Sequence, residues 1–302
     1  MDDLERRAVE LSNLIYPDGR MISLEFARAG LERFCEALPV PDDVRVEQVD
    51  AGGVSADWLT MPESSPQRTL LYLHGGGFVI GSAYSTREMA AAFARAGGAR
   101  ALVVDYRLAP EHPFPAAHDD VLTAYRWLLS TGCPAQEIVI AGESAGGSLV
   151  MSTLVGARDA GLALPAAAVV VAPWVDLTVP VPSAYLGLDA HEVEVTLDGL
   201  GKGAKLYLDG ADPTSPIASP IFADLTGLPP LLVMVGAAEG MVEESLRLAQ
   251  RAAVHGVDVT LELAPTMLHV HTFFSSFLPE GRAGVERVGQ FMDEQLARHR
   301  GD

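Results

Sequence analysis

Cysteine is nearly missing from this 302-residue chain, which has only Cys35 and Cys133. Two thiols cannot build the dense cross-linked framework of a small secreted domain, so both are expected as free, partly buried thiols. Basic side chains are also scarce: 21 Lys and Arg stand against 40 Asp and Glu, a formal charge of −19. A surface this negative repels nucleic acid and anionic lipid, which sets both aside as partners. A long apolar run is absent as well. The longest, Leu162 to Val175, holds two prolines and is too short to span a bilayer. No uninterrupted apolar stretch follows Met1-Asp2-Asp3-Leu4-Glu5-Arg6-Arg7, as one would in a signal peptide. The expectation is a soluble, cytoplasmic protein with no membrane insertion. Charged residues make up 20% of the chain, too few for extended disorder, and there is no internal repeat or low-complexity tract.

Apolar residues, at 49%, are plentiful enough for one large core. The first forty residues predict two amphipathic helices, one on Leu4, Ala8, Leu11 and Ile15, the other on Leu24, Ala27, Leu31, Phe34 and Leu38. Pro17-Asp18-Gly19 separates them, and Pro39 and Pro41 stop the second. Such stripes either complete a core or lie over the rim of the sheet domain beyond them. Two alternating segments come next, Val44/Val46 and then Val54/Ala56/Trp58 against Ser55/Asp57/Leu59, joined at Ala51-Gly52-Gly53 as a hairpin. Beyond them, short apolar runs at 70–73, 101–104, 138–141, 166–171 and 231–235 alternate with helical stretches. A last alternating strand carries Val257, Val259, Leu261 and Leu263. Strands apolar on both faces and separated by helices predict an α/β fold with a mostly parallel sheet covered on both sides. The region 177–223, rich in Pro, Gly and Asp with a weak helical pattern around Leu197 to Leu208, is too long for a simple connection and reads as a cap segment. The expected organisation is N-terminal cap helices over 1–42 and a catalytic domain over 43–302, interrupted by that insertion.

Ligands bind at the carboxyl ends of the strands in such sheets, so the polar residues just past each strand matter most. After the strand ending at Ala141 comes Gly142-Glu143-Ser144-Ala145-Gly146-Gly147, a Gly-x-Ser-x-Gly turn between strand and helix. The tight turn lifts the Ser144 hydroxyl clear of the backbone at the positive end of the next helix. A purely structural glycine turn has the same pattern. After the strand 70–73 comes His74-Gly75-Gly76-Gly77-Phe78, whose unshielded amides suit an oxyanion hole formed by Gly76 and Gly77 together with Ala145. A phosphate loop is the alternative there, but no Lys-Ser/Thr follows. A serine nucleophile needs a base and an orienting acid. Glu239 follows the strand 231–235, and His269 follows the strand ending near Leu263, giving the order Ser, acid, His. His271 is a second candidate base, and Glu243 and Glu244 are rival acids inside the following helix. The histidines show no ligand spacing, so no metal and no cofactor is expected.

These two glycine motifs, together with Asp105-Tyr106-Arg107-Leu108-Ala109-Pro110-Glu111, Phe114-Pro115-Ala116-Ala117, Pro173-Trp174-Val175-Asp176-Leu177 and Val235-Gly236-Ala237-Ala238-Glu239, resemble the hormone-sensitive-lipase family of α/β-hydrolases, the bacterial type IV carboxylesterases. The resemblance runs from about residue 68 to the C-terminus. It implies an eight-stranded α/β-hydrolase core with a helical cap and hydrolysis of small, short- to medium-chain esters through an acyl-enzyme, with no cofactor and frequent homodimerisation. It places the base on His269 and the acid on Glu239. Phe78, Leu24, Phe34, Trp174 and Tyr185 are the candidate substrate contacts. A lactone hydrolase, an amide hydrolase or an acyltransferase would use the same triad. A non-catalytic small-molecule receptor on this fold would lack the histidine. The chain departs from the family's common pattern at Gly240-Met241-Val242-Glu243-Glu244 and along Val179 to Gly201, which bears on substrate and not on reaction type.

Overall fold

The computed structural model describes residues 3–17, 22–179 and 197–298. Two helices come first, α1 (Asp3–Ser12) and α2 (Leu24–Ala37). The Ser23 hydroxyl starts α2 by accepting the Phe26 N–H at 3.0 Å. The hairpin is next, as β1 (Arg45–Asp50) and β2 (Ser55–Thr60). Then strands and helices alternate: β3 (Thr69–Leu73), α3 (Arg87–Ala96), β4 (Arg100–Val104), α4 (Ala116–Ser130), β5 (Ile138–Glu143), α5 (Ala145–Asp159), β6 (Ala167–Val171), α6 (Leu197–Leu208), β7 (Leu231–Gly236), α7 (Val242–Val254), β8 (Val259–Ala264) and α8 (Pro279–Arg298). The eight strands form one sheet in the order β1-β2-β4-β3-β5-β6-β7-β8, in which β2 runs antiparallel to both neighbours and every later pairing is parallel.

The central strands β3, β5, β6 and β7 are buried along their whole length, because helices cover both faces. The pattern differs on β2, where strict alternation would put Asp57 and Leu59 outward. The structure buries Ala56, Asp57 and Leu59 alike. The second face of β2 is covered by α3, whose Arg87 forks onto Asp57 at 2.8 and 2.6 Å. That pairing offsets the desolvation of Asp57, and removing Arg87 would destabilise the fold by about 3–5 kcal/mol.

The chain leaves the sheet after β6 and returns before β7 through a narrow neck. Leu177 N–H donates to Ser219 Oγ at 2.8 Å, and Ile221 N–H donates to the Val175 carbonyl at 3.3 Å. Glu244 braces the same neck from α7, accepting the Val175 and Asp176 amides at 2.7 and 3.0 Å, while Arg247 pairs with Asp176 at 2.9 Å. Among the described residues, no helix is long and apolar enough to cross a membrane.

Candidate active site

Ser144 stands between β5 and α5 with φ 52° and ψ −120°, a left-handed turn that a non-glycine residue holds only when its surroundings force it. The flanking glycines explain how this is possible. A Cβ on Gly146 would lie 2.1 Å from the Leu73 carbonyl oxygen, and one on Gly142 would lie 2.7 Å from both that oxygen and the Gly146 backbone. The elbow therefore packs directly against the end of β3. The helix behind it, α5, is buried over most of its length, and its N-terminus points at the serine.

The turn after β3 sits beside the elbow. Gly76 (φ 106°) and Gly77 (φ 61°) adopt positive φ, and among the described residues their N–H groups donate to no backbone carbonyl. His74 supports the turn and is not a base. Its ring is fully buried, stacks on Tyr106 at 4.0 Å and places Nδ1 2.7 Å from the Gly75 carbonyl. Burial pushes its pKa down to about 4.

Glu239 and His269 come from neighbouring turns stitched together by backbone bonds. Ala237 N–H donates to the Ala264 carbonyl at 2.8 Å and Ala238 N–H to the Met267 carbonyl at 3.1 Å. Gly236 allows this approach, since a Cβ there would lie 2.2 Å from the Met267 oxygen. The result is a contact of 2.5 Å between His269 Nδ1 and Glu239 Oε2, with Gly236 N–H donating to Glu239 Oε1 at 2.7 Å. Burial raises the Glu239 pKa, while His269 and the Gly236 amide act in the opposite direction.

Two of the rival residues, Glu244 and His271, are buried away from the Glu239–His269 contact. Glu244 is spent on the neck, with its pKa pushed up to about 8 by burial. His271 is 1% exposed, packs near Gly284 of α8 and is held at about 4 by burial.

Ser144 and His269 line one cavity of about 120 Å³, roofed by Gly75, Gly76 and Gly77. Its apolar wall comes from Ile15, Leu31 and Phe34 at the N-terminus, Leu200 on α6, and Trp174, Val270 and Phe273 from the strand-end loops. Of the substrate-contact candidates, Phe34 and Trp174 lie on this wall. Phe78 does not. Its φ of 64° turns the ring away to stack on Tyr207 at 3.9 Å, 1% exposed. Leu24 also falls outside the lining, at the far end of α2, roughly 10 Å along the axis from Leu31 at 1.5 Å per residue. Tyr185 lies outside the described residues.

Glu143, one of the two variable residues of the elbow, is absent from the candidates read from the sequence. It is 1% exposed, accepts the Gly75 N–H at 2.6 Å and the Tyr72 hydroxyl at 2.5 Å, and so ties the glycine turn to β5. Burial pushes its pKa up to about 7, against those two hydrogen bonds. An acid at the tip of an otherwise apolar strand was the available signal.

Residues 70–273 match a family described as the α/β hydrolase fold. An acetyl-hydrolase of Streptomyces hygroscopicus is 44% identical over 252 residues, 83% of this chain and 82% of the relative. An esterase of Acinetobacter venetianus is 30% identical over 87% of each chain. The crystal structure of an esterase from the bacterial hormone-sensitive-lipase family superposes with a TM-score of 0.94 at 38% identity, over 98% of this chain and 99% of that one. With the sheet order, the serine elbow and these likenesses together, the chain belongs to the hormone-sensitive-lipase family of α/β-hydrolases, a family of esterases.

Proposed function

We propose that the protein hydrolyses small carboxylic esters with short acyl chains through an acyl-enzyme on Ser144. The observation that carries this reading is the His269–Glu239 contact at 2.5 Å, set beside Ser144 in a cavity roofed by three glycines. Ser144 Oγ attacks the ester carbonyl as His269 Nε2 takes its proton. Glu239 holds Nδ1, fixing the tautomer and stabilising the imidazolium. The N–H groups of Gly76, Gly77 and Ala145 receive the oxyanion, where preorganised donors contribute most. His269 then protonates the departing alcohol, and a water activated by the same imidazole cleaves the acyl-enzyme.

The wall of Ile15, Leu31, Phe34, Leu200 and Phe273 suits an apolar acyl or alcohol group. The likeness to an acetyl-hydrolase supports a short acyl chain. In this reading α1, α2 and α6 together form the cap.

The test is twofold. Wild type should be labelled at Ser144 by a small fluorophosphonate, and folded Ser144→Ala should lose both label and turnover. Across an ester series from acetyl to decanoyl, kcat/KM should peak at four carbons or fewer. Turnover by folded Ser144→Ala would end the nucleophile assignment, and a peak at long chains would end the short-acyl reading.

A further inference from the structure

The turn that carries the glycine amides is gripped from the cap by a side chain outside the catalytic set. Residues 76–80 form one closed turn. Val79 and Ile80 N–H both donate to the Gly76 carbonyl, at 3.1 and 3.0 Å. A Cβ on Gly76 would lie 2.3 Å from the Ile80 oxygen, so the turn has no slack. Any displacement of Val79 is therefore passed to the Gly76 and Gly77 amides. Arg28 of α2 holds Val79 in place, donating Nε–H to its carbonyl at 3.0 Å. Its Nη2 also donates to the Ala109 carbonyl at 3.2 Å, and the guanidinium forks onto Glu111 at 2.6 and 2.8 Å. Ala109 N–H in turn donates to the Phe78 carbonyl at 2.9 Å, closing the loop back onto the same turn.

Four bonds in fixed directions require a planar fork. An ammonium could neutralise Glu111 but could not meet both carbonyls at once. An ordinary exposed ion pair contributes little and would not reach past its partner to two backbone carbonyls. The carboxyl of Glu111 is held down to about 2 by the guanidinium beside it, so the pair stays ionised through neutral pH. Arg28 does not line the cavity; it reaches the turn from behind, through the Val79 and Ala109 carbonyls.

We infer that Arg28 is a positioning residue for the oxyanion hole, through which cap helix α2 sets the direction of the Gly76 and Gly77 amides by way of the Val79 and Ala109 carbonyls. The inference rests on the reading of those two glycines as oxyanion donors. Misdirected donors weaken only the tetrahedral state, so the loss belongs in kcat and not in KM.

The experiment compares wild type, Arg28→Met and Arg28→Lys, with active enzyme counted by fluorophosphonate titration. Two reversible ligands of one shape are measured: a trifluoromethyl ketone, which adds to the serine and forms an oxyanion, and the matching methyl ketone. Both variants should lose roughly ten- to hundredfold in kcat on acetyl esters with KM within about twofold, the scale expected for misplaced rather than missing donors. Trifluoromethyl ketone affinity should fall by a similar factor, with methyl ketone affinity unchanged. Variants that keep the wild-type ratio of the two affinities, or whose loss lies in KM, would overturn the inference even if less thermostable. Should Arg28→Met fail to fold, Glu111→Gln, which frees the fork but leaves Arg28 in place, should show a smaller shift of the same ratio. An unchanged ratio there overturns it equally. If wild type binds the two ketones alike, the oxyanion reading fails, an outcome distinct from failure of the Arg28 role alone.

Discussion

Glu143 occupies one of the two variable positions of the elbow, and its carboxyl spans from β5 to the glycine turn after β3. Truncation would leave the Gly75 N–H and the Tyr72 hydroxyl buried without acceptors, a penalty of about 1–3 kcal/mol each. Glu143→Ala should therefore lower both stability and kcat, while Glu143→Gln, which keeps one acceptor oxygen, should recover part of each. Thermal melts and acetyl-ester kinetics on the pair decide this, and an alanine variant with full kcat would reduce Glu143 to a packing residue. The two histidines separate at the same scale. His269→Ala should be about as damaging as loss of the serine, because base and nucleophile act as one unit. His271→Ala, remote from Glu239 and packed near Gly284, should affect stability more than turnover. Rates ranked the other way would move the base to His271.

Among the elements, α6 bears on selectivity in the proposed reading. Gly199, Leu200 and Gly203 face the cavity, and Tyr207 one turn on stacks against Phe78. A glycine inside a helix is destabilising by about 1 kcal/mol relative to alanine, so Gly203 has a structural cost that space in the pocket explains. A Cβ there would meet Trp174 at 3.5 Å and the Gly77 oxygen at 3.7 Å, ordinary contact distances. Gly203→Ala should thus raise the melting temperature by a few degrees, the shift that roughly 1 kcal/mol produces. It should also lower kcat/KM for butyryl esters more than for acetyl esters. An unchanged butyryl-to-acetyl ratio would show that α6 does not bound the acyl site.

The elements themselves were largely legible. Short apolar runs gave the buried parallel strands, and the faint pattern around Leu197 to Leu208 gave α6, because burial on two faces and helical period both leave local marks. The triad candidates were legible for a similar reason: each follows a strand end within a few residues. Less legible was anything set by a partner far along the chain. Asp57 read as an outward residue until α3 brought Arg87 to it, and nothing near residue 28 announces Val79 or Glu111. Leu24 shares a helical face with Leu31, but periodicity gives a face and not a distance along the axis. Phe78 falls outside the cavity lining because its backbone turns left-handed, which no spacing rule reveals.

For the molecule as a whole, buried carboxyls lower stability as pH rises above about 6.5, where the buried His74 and His271, held at about 4, are neutral in both states and no longer oppose them. Burial lifts Glu143 to about 7 and Glu244 to about 8, from an ordinary value of 4.5. Between those limits the native state binds more protons than the unfolded chain, so stability falls as pH rises. Their contribution is fully present below about pH 4.5 and is lost as pH climbs through 7 and then 8. Urea midpoints measured from pH 6.5 to 8.5 should decline for wild type and decline less steeply for Glu244→Gln. Equal slopes would place the responsible proton elsewhere.

The neck at Val175–Leu177 and Ser219–Ile221 has an evolutionary consequence. An insertion whose two ends are already bonded to each other can change length at little entropic cost, because each doubling of a flexible loop adds only about 0.6 kcal/mol. The strands on either side, β6 and β7, keep their register whatever hangs from the neck. Lineages can therefore lengthen, shorten or exchange the segment between the two anchor points without retuning the sheet, provided a helix still presents an aromatic ring to Phe78. In the proposed reading, the part of the pocket wall carried by α6 can then vary independently of the elbow and the glycine turn.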